Sequence, residues 1–133
     1  MEKPKALAVL QIITGAGIIC FWIAFFTVGL APENPPDGYF AFEHSFPLPD
    51  GVLCLGLIAS GILLLKGSPK GRTLGLISAG GLLFLGLIDF SFNIQNGMYA
   101  MGLGESLPNM FINAWCVGLG TAMAVRLGKP ISC

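Results

Sequence analysis

Charge is scarce in this chain. Seven basic and seven acidic residues make up 11% of its 133 positions, where a soluble domain carries roughly 25%. A water-soluble globule with 54% apolar residues and so little charge would be poorly solvated. The length leaves no room for a second, soluble domain beside an apolar one. No basic cluster with interleaved aromatics is present, so nucleic acid is excluded as a partner. Histidine occurs once, as His44. The four cysteines, Cys20, Cys54, Cys116 and Cys133, have no CxxC spacing, which excludes a zinc-type site; no metal site is expected and no cofactor is indicated. Cys20, Cys54 and Cys116 fall inside apolar runs and read as small buried hydrophobes. They all count to the outer halves of their runs, but a thiol relay needs a close pair or a loop cysteine.

Long apolar runs fill the space that charge leaves. Their spacing predicts helices over about 6–30, 51–66, 72–93 and 107–127. The first run, Ala6–Leu30, exceeds the ~7–15 residues of a cleaved signal's apolar core, so it reads as a signal anchor retained as helix one. Trp22, Phe25 and Phe26 enrich its outer end with aromatics, as membrane interfaces favour. The second run, Gly51–Leu65, falls short of a ~30 Å hydrocarbon core at ~1.5 Å per residue. Asp50 suits its N-cap, with Pro49 stopping anything earlier, and Lys66 can snorkel at the far end. The third run carries Gly75, Gly80, Gly81 and Gly86, and Gly71 with Gly75 forms a GxxxG step. Gly56 with Ser60 is the small-xxx-small equivalent on the second run; such steps let backbones approach closely where lipid supplies no hydrophobic drive. Pro108 suits the first turn of the fourth helix.

The few charges are sorted by side. Lys3 and Lys5 precede the first run, Lys66, Lys70 and Arg72 fill the second gap, and Arg126 and Lys129 follow the fourth run. Glu33, Asp37, Glu43, Asp50, Asp89 and Glu105 count to the opposite side, and only Glu2 joins the bases. The positive-inside rule then places both termini in the cytoplasm of a multi-pass protein of the cell membrane. The expected fold is all-α: a single domain over 1–133, an integral membrane antiparallel four-helix bundle running up-down-up-down.

The loop 31–50 is broken by Pro32, Pro35, Pro36, Pro47 and Pro49. Its stretch Gly38–Phe46 is too apolar for a solvated tail, so it either lies on the outer membrane surface or folds back as a lid. Asp37-Gly38-Tyr39-Phe40-Ala41 is echoed by Asn96-Gly97-Met98-Tyr99-Ala100, as two hairpins related along the membrane normal would be.

The outer ends of the runs carry the polar residues. Asp89, Asn93 and Asn96 share a helix face by their spacing, as do Asn109, Asn113 and Cys116, and Asp50 and Cys54. In lipid such side chains turn to the interior or to water. The residues singled out for ligand binding are Asp89, Asn93, Asn109 and Asn113 as walls, with Glu43 and His44 closing the site. Carboxylates beside amide oxygens suit a small polar ligand, a hard cation or proton, or a lipid head group. The bland alternative is interhelical hydrogen bonding and capping.

Two stretches carry a resemblance: Phe42-Glu43 through Phe46-Pro47 to Asp50, and Leu87-Ile88-Asp89 through Phe92-Asn93 to Gln95-Asn96-Gly97 and Tyr99. They resemble a family of small four-helix prokaryotic membrane proteins with no assigned activity. That resemblance implies architecture and no chemistry. Small multidrug transporters are set aside because the first helix here holds no acid. Sterol-isomerase-like domains are set aside because no helix holds a histidine.

Three functional classes follow. The first is an outward-facing polar pocket that binds or passes its ligand. The second is an accessory subunit or homo-oligomer of a membrane complex, with glycine faces buried against partners. The third is a small intramembrane enzyme using Glu43, His44 and Asp89.

Overall fold

The structure is a computed structural model and describes residues 4–130; Glu2, Lys3 and Cys133 lie outside the described residues. Among those residues it is helix and turn, with no strand. The helices are α1 (Lys5–Thr27), α2 (Tyr39–Glu43), α3 (Pro47–Leu65), α4 (Pro69–Gln95) and α5 (Leu103–Gly128), with a 3-10 turn at Met98–Ala100 before α5. Four stretches are long and apolar enough to cross a membrane: Lys5–Thr27, Tyr39–Leu65 (α2 and α3 taken together), Pro69–Gln95 and Leu103–Gly128.

The helix ends correct the expected boundaries. α1 stops at Thr27, short of Leu30, because Gly29 turns left-handed at φ 82. The amides of Val28 and Gly29 then close on the Ala24 carbonyl at 2.9 and 3.2 Å. α3 ends the same way: Gly67 takes φ 75, and Ser68 N–H donates to Leu63 O at 2.9 Å, satisfying carbonyls the helix leaves orphaned.

At its start α3 includes Pro47 and Pro49, neither of which stops it. First-turn N–H groups have no intrahelical acceptor, so proline loses nothing there. Asp50 is therefore not a cap; it stands inside the helix, its own N–H donating to Phe46 O at 2.8 Å. The longer α3, 19 residues, reaches ~28 Å and closes most of the expected shortfall. α5 starts at Leu103, so Pro108 lies inside the helix and not in its first turn. α4 extends to Pro69 and Gln95, beyond the expected 72–93.

The exterior is unusually apolar, over an interior that mixes apolar side chains such as Leu57, Leu82 and Met123 with polar ones. Large apolar side chains face outward on every long helix: Ile13 and Ile23, Val52 and Leu55, Ile77 and Phe84, Phe111 and Val125 are all exposed. Gln11, Thr14, Asp50, Ser60, Ser78, Asn93, Ser106 and Asn113 are buried. Cys54 and Cys116 are buried as expected, whereas Cys20 is exposed.

The chain forms two compact units, residues 1–75 and 76–133. In the first, α1 and α3 pack through glycine. A Cβ on Gly15 would stand 2.8 Å from the Ile58 side chain, and one on Gly61 would stand 2.6 Å from the Ala8 carbonyl oxygen. Ser60 Oγ donates to the Gly71 carbonyl at 2.8 Å, fastening the start of α4 against α3. In the second unit Gly86 of α4 meets Val117 and Asn113 of α5, and Gly120 of α5 meets Leu83 and Ala79. Small residues at these contacts let the helix backbones approach closely.

Gln11 is fully buried, and neither amide atom has a hydrogen-bond partner among the described residues. A buried amide left unsatisfied costs about 1–3 kcal/mol. Gln11→Leu keeps the bulk and removes both orphan groups, so it is expected to raise stability by about 1–2 kcal/mol. Reversible unfolding in detergent checks this; a stability loss would mean that the amide is satisfied.

Candidate functional site

The second unit gathers two expected site residues on one side chain. α4 carries Asp89 and, one turn later, Asn93. The helix ends two residues on, and Asn96 Nδ2 turns back to the Phe92 carbonyl at 2.9 Å. Gly97, at φ 66, reverses the chain into the 3-10 turn. That turn buries Met98 and presents Tyr99. The Tyr99 hydroxyl accepts Nδ2 of Asn113 at 2.8 Å and Nδ2 of Asn93 at 3.4 Å. Asn113 is 1% exposed and Asn93 3%, so the two amides converge in the interior.

The remaining expected residues stand elsewhere. Asn109 is half-buried, and its Nδ2 donates to the Glu105 carbonyl of its own helix at 2.8 Å. Asp89 is half-buried and engaged. Glu43 and His44 belong to the first unit. Glu43 ends α2, half-buried. His44 is exposed, with its ring 5.8 Å from Phe26, 6.2 Å from Phe25 and 5.8 Å from Phe40. Through His44, the Gly38–Phe46 segment rests on the aromatic end of α1.

Tyr99 was absent from the sequence-derived site. Its signal was the left-handed glycine before it: Gly38, at φ 79, likewise precedes α2. The echo between the two segments is a shared local structure, glycine reversal followed by a short helical piece.

A second polar group was read as a cap and is not one. In the first unit Asp50 is 6% exposed, and its carboxylate accepts the Trp22 indole N–H at 2.8 Å. Phe21 and Phe25 meet the Trp22 ring edge-on, both at 5.2 Å, and Phe26 stacks on it at 5.8 Å. Cys54 lies one turn further along α3, buried. No group of three or more His, Cys, Asp and Glu is arranged to hold a metal ion among the described residues.

The family described as Domain of unknown function (DUF8058) matches residues 1–104. The chain belongs to that family. The DUF8058 match contains Trp22, Asp50, Asp89, Asn93 and Tyr99, whereas Asn109 and Asn113 lie beyond its end. One arm of the Tyr99 cluster therefore comes from outside the matched region. No curated protein and no solved structure matches the chain significantly.

Proposed function

We propose that this DUF8058 protein is a multi-pass protein of the cell membrane that binds a small polar ligand, a cation or a lipid head group at the outer end of α4 and α5. In this reading its four spans run antiparallel with both termini in the cytoplasm. The observation that carries it is the convergence of two buried carboxamides on the Tyr99 hydroxyl. Two amide oxygens, a phenol and the Asp89 carboxyl one turn away combine donors and acceptors. That set suits a hydroxylated or charged head group. Membrane embedding is supported by the large apolar side chains exposed on every long helix, with polar side chains among those buried, and by bases gathered in alternate connections.

Native mass spectrometry from lipid nanodiscs tests the site. Wild type is expected to carry a bound lipid or polar molecule that an Asn93→Leu, Asn113→Leu double variant loses; equal retention would count against it. Orientation is read in intact cells on a cysteine-free background. Asp37→Cys is expected to react with an impermeant maleimide and Ser68→Cys only after permeabilisation. The reverse pattern would invert the topology.

A second reading, an accessory or self-associating subunit, draws on Gly17, Gly80 and Gly118, which are exposed with open space where a Cβ would stand. Slim faces of this kind admit a partner helix.

A further inference from the structure

Asp50 is a buried carboxyl group with a neutral donor and no counter-ion among the described residues. Its hydrogen-bond donor is the Trp22 indole, and no Lys, Arg or His among the described residues pairs with it. Within the first unit the facing stretch of α1 holds no charged residue between Lys5 and Thr27. α3 holds none from Asp50 to Lys66. Lys70 and Arg72 start α4 beside Gly71, whose carbonyl meets Ser60, ~15 Å along α3 from Asp50. The titratable groups nearer by are the Cys54 thiol on α3, Glu43 and His44 at the end of α2, and exposed Cys20 on α1.

A positive charge must balance such a group when it is ionised in a low-dielectric interior. A hard metal cation asks for about six oxygen ligands, and no cluster of acids, cysteines or histidines is built around Asp50. An ammonium ion needs room for several heavy atoms. A proton needs neither ligands nor space. Two features also support the ionised form: the indole N–H, and the start of α3, where the helix dipole places about half a positive charge. Burial favours one protonation state, and the indole and helix end favour the other.

We propose that Asp50, held by Trp22, is an intramembrane proton-binding site, taking up and releasing one proton at the α1–α3 contact. The step is a simple equilibrium. The carboxylate and a proton combine to the neutral acid, one O–H bond forms, and the indole N–H remains bound to a carboxyl oxygen, more weakly when that oxygen is uncharged. The Trp22–Asp50 bond joins α1 to α3, so the grip between the two helices follows the proton. Ionisable groups inside membranes commonly serve as proton relays. This inference rests on the membrane reading for its setting and not on the Asn93–Tyr99–Asn113 cluster. Its failure would leave the mass-spectrometry result above untouched.

The test uses the full chain, with 15N-labelled tryptophan, in lipid nanodiscs. The chain has two tryptophans; Trp115, on α5, is the internal reference. From about pH 4 to about pH 9, a range that spans ordinary carboxyl and imidazole titration, the Trp22 indole resonance is expected to follow a one-proton curve. An infrared band of a protonated carboxyl is expected at the acid end. Asp50→Asn, nearly isosteric, should abolish the curve and remove the Asp50 component of the band, leaving that of the chain's other carboxyl groups. Trp22→Phe should keep the component that Asp50→Asn removes but shift its frequency, and His44→Asn should keep the curve. A flat Trp22 resonance in wild type would overturn the proposal, as would an unchanged curve in Asp50→Asn. A midpoint that moves with sodium at constant ionic strength would assign the site to a metal cation and overturn it too.

Discussion

Gly61→Ala is expected to destabilise the protein, and Gly61→Val to prevent α1 and α3 from packing at all. A Cβ at this position would stand 2.6 Å from the Ala8 carbonyl oxygen and 2.6 Å from Ile12 Cγ1. Ile12 can change rotamer, but Ala8 O is main chain and moves only with the helix. Overpacking of this kind costs about 1–3 kcal/mol, and more where backbones must part. Alanine returns up to about 1 kcal/mol of helix propensity, so the net loss for Gly61→Ala is about 1–2 kcal/mol. Valine adds two methyl groups and removes rotamer freedom, raising the loss to about 3 kcal/mol or more. Gly51 supplies the opposite case. It also lies in α3, but nothing stands within 4 Å of its Cβ position. Gly51→Ala should therefore gain up to about 1 kcal/mol. Unfolding of the three variants side by side in mild detergent measures the contrast. If Gly61→Ala proved as stable as Gly51→Ala, the close α1–α3 approach would be wrong.

Which glycines matter was not legible in the sequence. The GxxxG spacing drew attention to Gly71 and Gly75, and Gly71 is indeed pressed against Leu63 and Leu64. Gly61 stood out by no such spacing, because a helix contact is set by the partner's face as much as by its own. Long helices and inward polar residues were legible, since hydropathy and the cost of unpaired groups in an apolar medium dictate both. Helix starts were less so. Pro49 reads as a stop from the side of an unbroken helix, yet the first turn has spare N–H groups and absorbs it. That misplacement made Asp50 a helix cap, where it stands inside α3. Its true partner, Trp22, lies on another helix and is invisible to local reasoning. Tyr99 was hidden for a related reason. A tyrosine in a turn says nothing of which amides its hydroxyl will meet until α4 and α5 are brought together.

The apolar exterior explains why single hydroxyls carry weight here. In a soluble protein a buried amide that loses its partner can often recruit water from a nearby surface. In this chain the surfaces of the long helices are apolar, so an interior donor depends on the acceptor the fold supplies. Ser60 fastening the Gly71 carbonyl and Tyr99 receiving two asparagines are both of this kind. Each turns a buried polar group into a contact between segments.

Tyr99→Phe is therefore expected to cost more than the loss of a surface hydroxyl. It removes one oxygen atom and leaves the Asn93 and Asn113 N–H groups without the acceptor both now use. Each buried orphan donor costs about 1–3 kcal/mol, giving about 3 kcal/mol in all once partial relaxation is allowed for. The loss belongs to the orphans and not to the hydroxyl, so it should be reversible by removing them. A Tyr99→Phe, Asn93→Leu, Asn113→Leu triple variant should recover most of the stability, because replacing all partners by apolar groups of similar size is nearly neutral. The non-additivity of the single, double and triple variants is the measurement, read from unfolding in detergent. Additive losses would show that the three side chains act separately, and the cluster would then offer a ligand no shared set of donors and acceptors. Strong coupling together with a recovered but ligand-free triple variant would separate what the cluster does for folding from what it does for binding.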